Sequence, residues 1–423
     1  MSTRFRIPAW DVPRETRNVV GAIGGAHFAN HMYLVLLPPI LSVLADEFGV
    51  SIAALGFALG AQGVTNTGLQ LPYGYLADNY DRTLALALSS ALGGVGAVLV
   101  ALAPTYAWLV VGLAVLGAGI GGHHPSHYPI IADATPEEQR GRAYSIYSLG
   151  GNLGFATPPA LLTLVMNRGF SWRHGVGLIG VAGLLYAGFL TLYFSRRVGP
   201  SITEPNETES TDAGVTERLR AGLRSIAASP GVLGISLLTF VTSTAKWGFT
   251  AYVVILLTRA YGVGLDTANL ALTGAFVVGA GAVLIGGYLT DRAGAGAVML
   301  GSFAALALVT GTLATRAATP LLAVGLVLVA GAIRSISPPA RARLTDRLSA
   351  RGDVGKNFAV ITVGIMLGNA VAPPLYGWVI DHSSAETAFY AVAGTAVLAV
   401  GITAAVLVTY LDADRVADAA AES

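Results

Sequence analysis

Twelve times between residues 18 and 410 the chain turns apolar for about 20 residues or more, with almost no charge inside the run. A helix of that length crosses a hydrocarbon core. In lipid, only helices and closed barrels satisfy their own backbone groups, so runs this long read as helices. The spans are 18–44, 51–77, 83–103, 106–132, 141–166, 174–194, 229–257, 266–290, 295–314, 319–340, 356–380 and 386–410. Only 12% of the residues are charged, against about a quarter in soluble domains. An all-α membrane protein is therefore expected, and a lipid bilayer is its first partner.

Composition excludes several other classes. No cysteine is present, which removes disulfides, thiolate metal ligands and cysteine nucleophiles together. A net charge of +1 argues against nucleic acid as a partner. The polar start, with Arg4, Arg6, Arg14 and Arg17, has no small-residue cleavage site ahead of the first apolar run. That run is expected to be retained as a span.

Orientation follows from the basic residues. With both termini inside, 19 of the 25 face the cytoplasm and only Arg168, Arg173, Arg259 and Arg316 face out, the bias of the positive-inside rule. Lys246 and Arg334 remain, both within spans. The organisation expected is a cytoplasmic segment 1–17, a six-helix bundle 18–194, a cytoplasmic linker 195–228, a second six-helix bundle 229–410 and a cytoplasmic tail 411–423, in the cytoplasmic membrane. The acidic run Glu204, Glu207, Glu209 and Asp212 reads as disordered, and Val215–Ala227 as a short amphipathic helix on the membrane surface.

The two bundles repeat one another. Gly74-Tyr75-Leu76-Ala77-Asp78 returns as Gly287-Tyr288-Leu289-Thr290-Asp291, and Leu153-Gly154 as Leu367-Gly368. Such a repeat implies twelve helices in two pseudo-symmetric bundles, related by an axis along the membrane normal. A site then falls between them near the midplane, as in secondary transporters.

At this point the sequence resembles the major facilitator superfamily over nearly its whole length. Gly74 through Asp78 to Arg82 looks like the signature loop of that superfamily, and Gly287 to Arg292 like its second copy. Within it, Ala26-His27-Phe28-Ala29-Asn30-His31-Met32, His124-Pro125-Ser126 and Gly150-Gly151-Asn152-Leu153-Gly154 are similar to the fosmidomycin-resistance branch of exporters. That branch has an acid where His31 stands and another where Ser126 stands. The resemblance implies alternating access, and a cytoplasmic latch in which Asp78 and Asp291, with Arg82, Arg142 and Arg292, hold the inner gate shut.

The candidate site residues follow from cost. No span carries a central acid, so proton coupling of the usual carboxylate kind has no carrier. His27 and His31, four apart, share a face of the first span, and His123, His124 and His127 surround Pro125, read as a helix break. His27, His31 and His124 are the candidate proton carriers. Lys246 and Arg334 lie deep in their spans, where a charge costs about 3 kcal/mol on insertion scales and needs a cavity or a partner. With no acid for partner, an anionic substrate is the cheapest neutraliser. His31, Tyr33, His124, Lys246 and Arg334 are the expected substrate contacts, with Thr242, Ser243, Thr244 and Trp247 beside them. The histidine spacing permits a metal, but no carboxylate or thiolate accompanies it, so neither metal nor cofactor is expected. The expectation is a monomeric, non-enzymatic secondary transporter of a small organic anion or zwitterion. A proton-linked drug exporter is the alternative, and a non-transporting membrane sensor the alternative of another class.

Overall fold

The computed structural model describes residues 12–204, 230–348 and 354–421. The linker residues 205–229, with the amphipathic helix read at Val215–Ala227, lie outside these, as do Arg4 and Arg6. Among the described residues there are helices and no strands.

The chain begins with α1 (Arg14–Leu34), a 3₁₀ turn at Pro38–Ile40 and α2 (Leu41–Phe48), so the first span breaks at Pro38-Pro39. Then come α3 (Ile52–Asn79), α4 (Arg82–Ala101), α5 (Tyr106–Gly121), α6 (His123–Ala134), α7 (Arg140–Asn167), α8 (Trp172–Arg197) and the short α9 (Pro200–Thr203). After the linker follow α10 (Pro230–Tyr261), α11 (Leu265–Ala293), α12 (Ala295–Thr315), α13 (Pro320–Leu348), α14 (Val354–His382) and α15 (Ala385–Ala421). Eleven stretches among the described residues are long and apolar enough to cross a membrane. The 28-residue α3 is the twelfth long helix, with Gln62, Thr65, Asn66, Thr67 and Gln70 interrupting its apolar run.

The fourth span breaks at Gly122, not at Pro125 as the sequence led us to expect. Pro125 falls in the first turn of α6, where a missing N–H costs nothing. Gly122 is there for space: a Cβ on it would lie 2.7 Å from both Ser89 Cβ and Tyr73 Cδ1. The break turns the first residues of α6, His123 and His124, toward α1.

Helix pairing repeats between the halves. In the first, α1 packs on α7, α3 on α5 and α4 on α8; in the second, α10 packs on α14, α11 on α13 and α12 on α15. Two seams cross between halves, α3 with α14 and α7 with α11. Lipid gives helices no hydrophobic drive to associate, so close backbone approach through small residues supplies the attraction. Gly63 of α3 shows how close: a Cβ there would sit 2.6 Å from Ala370 Cα.

The apolar core is continuous at one end and divided at the other. At the end away from the signature loops, one cluster joins Leu36, Leu37, Ile40 and Leu55 of the first half to Val253, Leu256, Tyr376 and Phe389 of the second. At the loop end there are separate clusters, with Ile23, Ile130, Tyr147 and Phe194 in the first half and Leu238, Met299, Phe303 and Leu344 in the second. The halves are thus sealed together at one end and parted at the other.

Candidate functional site

Between the halves lies a cavity of about 330 Å³, of the size that takes a small molecule. The first half contributes His27 and His31 of α1, Asn66 of α3, His123 and His124 of α6, and Phe155 of α7. The second contributes Thr242, Ser243, Lys246 and Trp247 of α10, Ser302 of α12, Arg334, Ser337 and Arg341 of α13, and Met366 and Asn369 of α14. No carboxylate is among the described residues that line it.

The cationic wall comes from the second half. Lys246 Nζ stands 5.7 Å from the centre of the Phe155 ring and 5.5 Å from that of Trp247, and Arg334 Cζ lies 4.9 Å over Phe249. Ring faces offset part of the desolvation of a cation but do not use its N–H groups. Arg334 Nε and Nη1 are buried without a hydrogen-bond partner. Unmatched buried donors on a charged group are costly, and an acceptor is what they lack.

The imidazole wall comes from the first half. His27 Nε2 is 2.9 Å from His31 Nε2, and the His123 and His124 rings lie 3.7 Å apart between centroids. His27 also stacks on Tyr147 at 3.7 Å, while Tyr147 Oη reaches His124 Nδ1 at 3.3 Å. The glycines of α7 make this possible. A Cβ at Gly151 would fall 2.5 Å from His27 Cε1 and 2.7 Å from His31 Nδ1.

Of the expected substrate contacts, His31, His124, Lys246 and Arg334 meet in the cavity and Tyr33 does not. Residues two apart on a helix point to opposite sides, so Tyr33 turns away from the His31 face into the bundle. It packs there against Gly93, where a Cβ would sit 2.6 Å from its Cε2. Thr244 is likewise absent from the lining and bonds to Phe240 O at 2.8 Å. Arg341, counted from sequence among the cytoplasmic charges, lines the cavity instead. Its spacing from Arg334, seven residues or two turns, was the available signal, as was Ser337 at three. Asn66 and Asn369 gave no such cue.

Of the expected latch residues, Arg82 and Asp291 pair within their own halves. Arg82 bonds Asp133 and donates to Ile202 O at 3.1 Å, and Asp291 accepts from Arg343 at 2.8 Å. Arg292 is exposed, 4.9 Å over its helix neighbour Tyr288. Asp78 and Arg142, at the same end, are not without partners. A carboxylate does bridge the halves, but at the sealed end: Asp381 of α14 accepts from the Ile52 and Ala53 amides at 3.2 and 2.6 Å. These are orphan N–H groups of the first turn of α3, where a negative charge is stabilised by about 0.3–1 kcal/mol, and up to about 2 kcal/mol when partly buried. The variant Asp381→Asn keeps the shape and removes the charge. It is expected to shift the population away from this arrangement by roughly two- to thirtyfold. Spin labels at Glu138→Cys and Ala342→Cys, one per half at the loop end, would report the shift as a shorter distance; an unchanged distribution would refute the role.

The chain is similar to known membrane proteins in sequence and in fold. The chain is 26% identical over 283 residues to the fosmidomycin resistance protein of Escherichia coli (strain K12), a match spanning 66% of each chain. It is 26% identical over 286 residues to the probable sulfoacetate transporter SauU of Cupriavidus necator, again over 66% of each, slightly under two thirds of these relatives' length. Among solved structures, a bacterial homolog of the human lysosomal transporter Spinster, inward-facing and occupied, superposes with a TM-score of 0.77 at 16% identity, over 95% of this chain and 98% of that one. The family model described as Major Facilitator Superfamily matches residues 23–245 and again 235–422, once per half of a twelve-helix, two-bundle fold. On that evidence this multi-pass membrane protein belongs to the Major Facilitator Superfamily.

Proposed function

We propose that the protein is a secondary transporter carrying a small organic anion, or a zwitterion with an anionic group, across the cytoplasmic membrane by alternating access. The observation that carries this reading is Arg334, whose two unpartnered guanidinium nitrogens are buried at a cavity that Lys246 and Arg341 also line. Three cationic side chains without a lining carboxylate make a site that a carboxylate, sulfonate or phosphonate completes by bidentate hydrogen bonding. A relative named for sulfoacetate, itself an anion, supports the same class.

The basic bias of the loop end supports a cytoplasmic placement of that end, and with it an inward-facing reading of the arrangement sealed by Asp381. Turnover closes the loop end, where Asp78, Asp291, Arg82, Arg142 and Arg292 exchange partners across the halves. The cavity comes from one chain, which suits a monomer. The direct test is flux of sulfoacetate into proteoliposomes, each run with and without an imposed pH gradient. Uptake is expected to exceed that of a neutral analogue of the same size; equal uptake of the two would refute anion selection. Proton-linked export of a drug is a second reading, favoured by the fosmidomycin-resistance relative, and growth inhibition with and without the protein separates it.

A further inference from the structure

We propose that His27, His31 and His123 form a binding site for a divalent d-block cation of the zinc type, open on one side to the cavity. It stands independently of the anion reading, since it uses only the opposite wall.

Ligand nitrogens of these three residues all lie within 4.8 Å of one another. In a tetrahedral zinc site, Zn–N bonds of about 2.0–2.1 Å set neighbouring nitrogens roughly 3.3 Å apart, which small ring rotations reach from here. The protonation pattern fits as well. His27 Nδ1 is 2.8 Å from Tyr147 O, and His123 Nδ1 is 3.0 Å from Ile120 O. A carbonyl only accepts, so each Nδ1 carries the hydrogen and each Nε2 presents its lone pair. Metal-binding histidines are held by this same arrangement, one nitrogen donating to a backbone oxygen and the other ligating.

Without a cation two buried ring nitrogens of these residues have no partner, His31 Nδ1 and His123 Nε2. His31 Nε2–H donates to His27 Nε2, one proton between two rings 2.9 Å apart at the nitrogens. The His123 Nε2 is buried with no partner at all, on a residue only 4% exposed. An orphaned buried acceptor is destabilising unless something fills its lone pair. Three neutral imidazoles select zinc, cobalt, nickel or copper over magnesium or calcium, which require oxygen ligands. A fourth position facing the cavity is left for water or for an anionic group of a bound solute.

The test uses the full-length protein in detergent, purified through a tag free of histidine and titrated with zinc by calorimetry and with cobalt by visible absorption. One equivalent per chain is expected, with cobalt bands of tetrahedral intensity. The near-isosteric variants His31→Gln and His123→Gln should each weaken binding at least about tenfold. The double variant His174→Gln/His382→Gln, which alters two exposed histidines far from the cavity, should bind as wild type. No saturable binding, or binding lost in the double variant and kept in the cavity variants, overturns the site. Should the cavity variants fail to fold, the double variant decides alone. Stoichiometric tetrahedral cobalt binding by it supports the site, and its absence refutes it.

Discussion

Arg334→Ala is expected to abolish flux of the anion while leaving the protein in the membrane. Truncating one side of a buried, hydrogen-bonded charge pair costs about 2–5 kcal/mol. At about 1.4 kcal/mol per decade, that is roughly a thirtyfold to several-thousandfold loss. Insertion should not suffer, because removing a charge from inside a span relieves an expense of about 3 kcal/mol. Lys246→Ala should follow in the same direction with a smaller loss, since an ammonium is a point charge without the guanidinium fork. Arg334→Lys should retain part of the flux for the same reason. Initial rates in proteoliposomes, normalised to inserted protein, read all three; near-wild-type rates in both alanine variants would end the anion reading.

The second large effect is expected at a position with no chemistry. Gly63→Leu places a side chain where a Cβ already falls 2.6 Å from Ala370 Cα and 3.0 Å from its nitrogen. Backbone on a packed helix cannot give way as a side-chain tip can, so the α3–α14 seam must part. Overpacking of this kind costs about 1–3 kcal/mol, which shifts the two-state population roughly five- to hundredfold toward the arrangement open at the other end. The Glu138→Cys and Ala342→Cys label pair reads it directly. The chain has no native cysteine to interfere. Gly68→Ala, on the same helix with nothing within 4 Å of the built Cβ, should leave the distribution unchanged. A Gly63→Leu distribution like that of the parent would show that the seam does not set the conformation.

Hydropathy made the spans legible because each helix must be apolar over its whole length, a signal that survives without knowledge of any neighbour. Even α3 could be read, since residues 52–77 carry no charge. The repeat was legible too, through Gly74–Asp78 and Gly287–Asp291, and with it the two-bundle fold. The cavity was half legible. His31, Lys246 and Arg334 stand out because charge and imidazole are rare in spans, whereas Arg341 was masked by the cluster of cytoplasmic arginines around it. Tyr33 misled because proximity in sequence to His31 is not proximity on a helix face. The break at Gly122 was hidden among 53 glycines, most of which merely pack. Asp381 could not have been found locally. Its partners are 328 and 329 residues away, and nothing about an acid at the end of a helix announces which helix it will cap. The loop-end residues gave the opposite difficulty, since only one end of a two-state transporter is shut at a time.

Asp381 grips main-chain amides, and that choice has an evolutionary corollary. A clasp that holds N–H groups does not read the side chain of half-buried Ala53, so substitutions there leave the bond in place, whereas Ile52 is held by its own packing in the sealed-end core. Proline alone, having no hydrogen to offer, would forfeit the bond at either position. Drift at Ala53 is thereby separated from the hydrogen bonds that hold the sealed end shut.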